Sequence, residues 1–317
     1  MKKKRKWLAA LLLVLAVSVL GGGTYAYSFY HSFNQAVKTI HEQGEQKQSE
    51  KRTEGIIVKN GDPFSILLLG VDERKNDKGR SDTMIIMTVN PHLKSINMLS
   101  IPRDTRTEIV GHGTVDKINH AYAFGGVDMS IKTVEKFLNI PIDYYVKINM
   151  EGFEDIVDAL GGVTVYNNLA FSAGSEYFKE GELSLDGQQA LAFSRMRHDD
   201  PEGDFGRQKR QREIIESILK KGSSITSLWN YNPILKAISK NIKTNFSLDE
   251  MIGIQSKYKD FRKNIQEYRI NGKGRMIANQ QGNKIWYYIV SDDERQKLSN
   301  ILREHLKLSQ ETVTAQY

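Results

Sequence analysis

The chain alternates short, continuous apolar runs with amphipathic segments. Phe64 to Val71 reads Phe-Ser-Ile-Leu-Leu-Leu-Gly-Val, Thr83 to Val89 reads Thr-Met-Ile-Ile-Met-Thr-Val, and Ser95 to Ile101 is a third such run. Runs of this length between turn formers predict strands buried on both faces. Asn76, Asp77 and Gly79 mark the first loop, Asn90-Pro91-His92 the second, and Pro102 stops the third run. Further strands are predicted at Tyr144 to Ile148, Val163 to Tyr166 and Lys284 to Val290. Helices are predicted at about Val127 to Leu138, at Phe153 to Leu160 before Gly161-Gly162, at Leu185 to Phe193, and at Ile234 to Ile242. Ser247 to Glu250 and Ser291 to Glu294 read as capping boxes that open two more. Strands interleaved with helices of this length predict a layered α/β/α domain with a mixed central sheet.

The first residues depart from that pattern. Lys2 to Lys6 are all basic, and no charge follows from Trp7 to Tyr30. An apolar run of about 20 residues suits a bilayer core, and Trp7, Tyr25, Tyr27 and Tyr30 suit its two interfaces. The basic flank favours a cytoplasmic tail over residues 1–6, a transmembrane signal-anchor over 7–27, and the remainder outside the cell membrane. A cleaved signal peptide is the rival; the long apolar run and the weak cleavage pattern around Gly23-Thr24-Tyr25-Ala26 favour the anchor. Residues 28–60 are polar and mixed in charge, as in a stalk that is partly helical near the membrane. The main domain is expected over 61–308 and a frayed tail over 309–317.

Charge and composition narrow the chemistry. The net charge is +7, but the five basic residues of the tail leave 40 basic against 38 acidic residues behind them. A nucleic-acid partner is therefore not expected, since its binder would carry the excess charge in the folded domain. There is no cysteine, which excludes disulfides, thiolate metal sites and cysteine nucleophiles. Neither a G-x-S-x-G, a Walker sequence, an H-E-x-x-H nor a dinucleotide fingerprint is present. Asp204-Phe205-Gly206 spells a kinase tripeptide without its companion loops and is read as chance.

Two sets of residues remain. If the first three strands form an antiparallel meander, Asp72 ends the first and Asp82 begins the second, at one edge. The third strand then delivers Arg103 and Asp104 to that same edge, although charged residues are common at strand ends in any fold. The second set lies in Ser194 to Gln211, where Arg195 and Arg197 precede an acidic loop and a helix opening with Arg207, Arg210 and Gln211. The apolar stripe Ile214, Ile215, Ile218 and Leu219 projects back through these residues, so the polar end of the helix faces inward. Inward guanidinium groups need an anionic partner, which a di- or polyphosphate would supply; the alternative is a first turn left in water at the domain edge. Asp72 and Asp82 suit a hard cation such as Mg²⁺, and Arg80, Arg103, Arg195, Arg197 and Arg207 suit phosphate. Together they describe phosphoryl chemistry.

Gly70-Val71-Asp72, Arg80 to Met84, Ser100 to Thr105, Lys117 to Tyr122 and the Arg195 to Gln211 stretch, in this order, closely resemble the LytR-CpsA-Psr family. The resemblance covers roughly Phe64 to Ile218, and no charged position departs from it. It implies a phosphotransferase acting outside the cell membrane. Such an enzyme takes an anionic glycopolymer, often wall teichoic acid, from an undecaprenyl-pyrophosphate carrier. It joins the polymer to a muramic acid hydroxyl of peptidoglycan through a phosphodiester. By the same resemblance, Asp72 and Asp82 would hold Mg²⁺. Arg80, Arg103, Lys117, Arg195, Arg197, Arg207 and Gln211 would line the pyrophosphate site, and Asp104 would orient Arg103 or take the acceptor proton. An apolar slot for the polyprenyl chain is implied between sheet and helices, with Met84, Met87, Met98, Phe153 and Ile214 as candidates that could equally be core. A polyprenyl-pyrophosphate hydrolase and a non-catalytic wall-polymer receptor remain alternatives, whereas a transcriptional role fits poorly with an extracytoplasmic domain of near-neutral charge.

Overall fold

A computed structural model describes residues 27–28, 30–42, 49–73, 78–222, 239–257, 264–278 and 282–315. Its strands are β1 (Phe64–Val71), β2 (Ser81–Asn90), β3 (Ser95–Ser100), β4 (Arg106–Ile109), β5 (Thr114–Lys117), β6 (Tyr144–Asn149), β7 (Val163–Asn167), β8 (Phe171–Ala173), β9 (Glu176–Phe178), β10 (Gly181–Leu185), β11 (Ile242–Thr244), β12 (Ile265–Arg269), β13 (Lys273–Ala278) and β14 (Lys284–Ile289). The helices numbered here are α1 (His120–Leu138), α2 (Met150–Ala159), α3 (Gly187–Arg195), α4 (Asp204–Gly222), α5 (Leu248–Lys257) and α6 (Asp292–His305).

The central sheet has six strands in the order β11-β6-β1-β2-β3-β12. The first three apolar runs form the expected meander, with β1–β2 and β2–β3 antiparallel, while β6 and β12 join in parallel. Alternate residues of β1 serve opposite faces. Leu67, Leu69 and Val71 pack with Phe137 and Leu138 of α1 and with Leu298 and Leu302 of α6. Ile66 and Leu68 face the other layer, with Ile215 and Leu219 of α4 and Met251 and Ile254 of α5. Both faces are covered, so the strands read as unbroken apolar runs rather than alternating ones. A third cluster joins α2, α3 and α4 to the small β7–β10 sheet through Val157, Phe193 and Ile214.

Several boundaries differ from the sequence-based expectation. The segment between Pro102 and Val127, where no strand or helix is predicted, contains the β4–β5 hairpin and the first turns of α1. Helix α1 is broken at Gly125-Gly126, where Gly126 has φ +65°. The helix expected at Ile234 to Ile242 falls largely outside the described residues, and Ile242 itself opens β11. Ser247 and Glu250 cap each other reciprocally, whereas at α6 Ser291 accepts the Glu294 N–H.

The flanking segments are tied to the domain. Residues 30–40 are helical and bury Ala36, Val37 and Ile40, and His41 bridges to Thr244 on β11. Arg52 pairs with Asp143 at 2.6 Å. At the other end, where fraying was expected, Arg303 binds Glu311 at 2.6 Å and Val313 is buried.

Candidate functional site

The edge of the sheet at the C-terminal ends of β1 and β3 gathers the charged residues. Val71 pairs with Ser81 while Gly70 pairs with Thr83, so Asp82 is the extra residue of a β-bulge. A bulge turns its side chain away from the pleat alternation, here toward the incoming end of β3. There Arg103 Nη1 lies 2.8 Å from Asp82 Oδ2, and Asn119 Nδ2 donates to Asp82 Oδ1 at 3.3 Å. Lys117, at the end of β5, binds Asp104 Oδ1 at 2.6 Å, and Asp104 Oδ2 stands 3.8 Å from Arg103 Nε. The convergence expected from a meander is therefore present, and the β4–β5 hairpin adds the lysine.

From the opposite side, α4 brings Arg207. Its Nη2 lies 2.7 Å from Asp204 Oδ1 and reaches the Asp82 carbonyl at 3.4 Å. Burial lowers its pKa, helped by the positive charges of Arg103 and Arg197, and the carboxylates of Asp204 and Asp82 only partly offset this. Arg103 goes the other way. Burial opposes its charge, but Asp82, Asp104 and Asp204 outweigh that and raise its pKa. Neither guanidinium is fully bonded, because the Nε atoms of Arg103 and Arg207 are both buried without a hydrogen-bond partner. Buried donors left unmatched cost free energy, on the order of 1–3 kcal/mol each, so a multi-oxygen anion fits this place.

Next to these cations opens a cavity of about 360 Å³. It runs between the sheet residues Ile66, Leu68, Met87 and Val146 and the inner faces of α2, α3 and α4, with Asp82, Arg195, Arg207 and Gln211 among its lining. Its interior is apolar and its charged groups sit at the mouth. Of the candidates for such a slot, Met87 and Phe153 line it. Met84, Met98 and Ile214 belong to the packed core instead.

The expected residues thus divide into groups. Asp82, Arg103, Asp104, Lys117 and Arg207 form one contact network. Gln211 and Arg195 line the slot, the latter against the Met150 thioether. Arg197 lies in the loop after α3, with Nη2 3.3 Å from His198 Nε2 and close enough to act on Arg207. Asp72 is joined to Arg80 through the backbone. Its Oδ1 accepts the Arg80 N–H at 2.6 Å, and the Arg80 side chain is exposed at the rim. Arg210, expected to face inward beside Arg207, does so for another reason. It binds Asp200 Oδ2 at 2.6 Å and the carbonyls of Phe193 and Met196, locking the loop between α3 and α4.

Three partners carry no mark of their role in the sequence. Asn119 lies inside the Lys117 to Tyr122 motif, and only the fold sets its amide against Asp82. Asp204, read as part of a chance tripeptide, stands three residues before Arg207, a spacing that places both on one helix face. Glu73, next to Asp72, accepts from Tyr122 Oη and lies 3.2 Å from Lys147 Nζ.

Whether the acidic residues suit Mg²⁺ follows from their chemistry. Among the described residues no three His, Cys, Asp or Glu side chains cluster as a metal site. Asp72 and Asp82 supply two hard oxygen donors at neighbouring strand ends, a set that fits an ion completed by water and phosphate oxygens. Asp82 would share its carboxylate between that ion and Arg103.

A basic mouth over an apolar slot is the arrangement that an amphiphilic phosphate would need. The whole chain, not only the site, matches known proteins. It is 49% identical over 306 residues, 96% of its length and 99% of the relative's, to the polyisoprenyl-teichoic acid–peptidoglycan teichoic acid transferase TagU of Bacillus cereus. Among solved structures, that of Bacillus subtilis TagU is 45% identical, with a TM-score of 0.62 over 78% of this chain and 98% of that one. A structure of TagT bound to LI-WTA is 33% identical, with a TM-score of 0.71 over 84% of this chain and 99% of that one. The LytR_cpsA_psr family model matches residues 26–304. With its sequence motifs, its sheet edge and its slot all accounted for by one family, the chain belongs to the LytR_cpsA_psr family.

Proposed function

We propose that this protein transfers an anionic glycopolymer, teichoic acid in the first instance, from a polyprenyl-pyrophosphate carrier to a hydroxyl of peptidoglycan. The observation that carries the reading is the buried guanidinium of Arg207 in the lining of an apolar slot, with the half-buried Arg103 joined to it through Asp82, each with an Nε that lacks a hydrogen-bond partner. The slot accepts the isoprenoid, and the cations accept the pyrophosphate. The acceptor hydroxyl oxygen bonds to the polymer-bearing phosphorus, the bridging P–O bond breaks, and polyprenyl phosphate leaves, its new terminal oxygen taking up the hydroxyl proton.

Arg103, Arg195, Arg197 and Arg207 would stabilise the charge on the phosphoryl oxygens, the principal demand of this chemistry. Gln211 would add a neutral donor at the same mouth, and Arg80 would close over the rim. Asp104 is held by Lys117 on one oxygen and faces Arg103 with the other. A carboxylate held in this way is suited to orienting Arg103 rather than accepting the proton. Asp72 and Asp82 would hold Mg²⁺, which would offset charge on the pyrophosphate. The apolar segment at residues 7–27 would anchor the chain as a single-pass membrane protein with this domain outside, beside a donor that stays in the bilayer. Except for Tyr27, that segment lies outside the described residues, and no helix among the described residues is long and apolar enough to cross a membrane.

The test uses the full-length protein in detergent with a lipid-pyrophosphate-linked glycopolymer and peptidoglycan fragments, with Mg²⁺ or EDTA, beside Asp82→Ala and Arg195→Ala variants. Covalent attachment that requires Mg²⁺ and both side chains is expected. Release of polymer without attachment would make the protein a hydrolase. Binding without chemistry, indifferent to Asp82, would make it a receptor.

A further inference from the structure

Two residues of the slot described above, Val146 on β6 and Ile242 on β11, also line a second cavity, of about 210 Å³. Its outer wall is the N-terminal helix, through Phe33, Ala36, Val37 and Ile40. The one hydroxyl in its lining, Thr244 Oγ1, already donates to the Tyr145 carbonyl at 2.6 Å. The space is thus lined by apolar side chains and one satisfied hydroxyl, a setting that suits hydrocarbon.

The wall is a fixed part of the domain. At its C-terminal end the Glu42 N–H donates to the Thr244 carbonyl at 2.9 Å, and Lys243 Nζ donates to the Thr39 carbonyl at 2.8 Å. Its N-terminal end continues back into the apolar segment at residues 7–27. The second cavity therefore lies between the main slot and the part of the chain that leads to the membrane.

Size leaves most of an undecaprenyl chain without a place in the main slot. Pockets of about 300–1,000 Å³ enclose drug-sized ligands, and the main slot, about 360 Å³, is at the small end of that range. An undecaprenyl chain is longer than such a ligand, so its far end must leave the slot.

We propose that the N-terminal helix forms the distal wall of the isoprenoid site, with Phe33, Ala36, Val37 and Ile40 holding the isoprene units farthest from the pyrophosphate. This rests on the transferase reading and extends it, because the linker to the membrane becomes part of the donor site. The site then discriminates chain length, and a short polyprenyl pyrophosphate uses the main slot alone.

The experiment compares geranyl pyrophosphate with undecaprenyl pyrophosphate as ligands of the full-length protein in nanodiscs. Ala36→Trp fills the second cavity from the helix side. It is expected to weaken undecaprenyl pyrophosphate binding at least about tenfold, the scale set by losing a few buried methylenes, and to leave geranyl pyrophosphate unchanged. A second measurement is independent of any folding defect in that variant. Undecaprenyl pyrophosphate bearing a diazirine on its terminal isoprene, irradiated with the unaltered protein, should label residues 33–40. Equal affinities of Ala36→Trp and the parent for the long chain, equal losses for both chains, or labels confined to other segments would each overturn the proposal. If the unaltered protein binds neither pyrophosphate, the transferase reading itself fails.

Discussion

Arginine is buried in two regions of this molecule, with opposite consequences. On α6, Arg295 and Arg303 are almost wholly inaccessible, and each is closely bonded. Arg295 donates to the Phe137 and Thr314 carbonyls and to Asp292, and Arg303 to the Asn139 and Ser309 carbonyls and to Glu311. At the slot mouth, Arg207 and the half-buried Arg103 are held on their outer nitrogens while their Nε atoms have no hydrogen-bond partner. The α6 arginines close their own structure, stapling the C-terminal segment to the helix. Those at the mouth are positioned by carboxylates but left with bonding capacity, which is what a site for a passing phosphate requires. Burial alone does not separate structural from functional arginines; the completeness of their bonding does.

Substitutions can break that distinction. The largest effect is expected for Arg207→Met, which should slow transfer by about 10²–10³, the usual cost of losing one preorganised oxyanion donor. The same change should lower stability by no more than about 1 kcal/mol, because removing a desolvated guanidinium offsets the lost pair, and Asp204 keeps the Gln208 amide and partial exposure to solvent. Comparable losses of activity and of stability would erase the difference between the two regions. Arg303→Met should do the reverse, lowering stability by on the order of 3 kcal/mol by stranding two carbonyls, while the folded fraction transfers at the parental rate. Denaturant melts and initial rates on one preparation read both quantities.

His305 sharpens the comparison through pH. Its ring nitrogens bond to the hydroxyls of Thr88 and Ser95, and burial lowers its pKa from 6.5 to about 4. Between those values the unfolded chain binds a proton that the native chain does not. Stability from this group is thus complete above pH 6.5 and falls as the pH drops toward 4, by up to about 3 kcal/mol. His305→Gln should flatten melting temperature against pH over that window. The smallest effect is expected at Gln211, a neutral donor at the mouth. Gln211→Ala should slow transfer only about fivefold, in line with one net hydrogen bond.

The sequence by itself determined the sheet and half of the site. Three continuous apolar runs with Asp72, Asp82 and Arg103 at their ends could form a buried meander, and any such meander brings those ends together. The apolar stripe on α4 likewise turned both Arg207 and Arg210 inward. Tertiary structure decided which of the two was free for a ligand. Arg210 meets the Phe193 carbonyl of α3, and Asp200 and the Met196 carbonyl from a loop whose path no local pattern specifies, and Arg207 does not. The bulge that re-aims Asp82, the hairpin that delivers Lys117, and the docking of the N-terminal helix on β11 were also settled there. Periodicity reports which face of an element is buried, because burial depends on composition along one element. Which partner a buried polar group finds depends on atoms far away in the chain, and only the assembled fold brings them together.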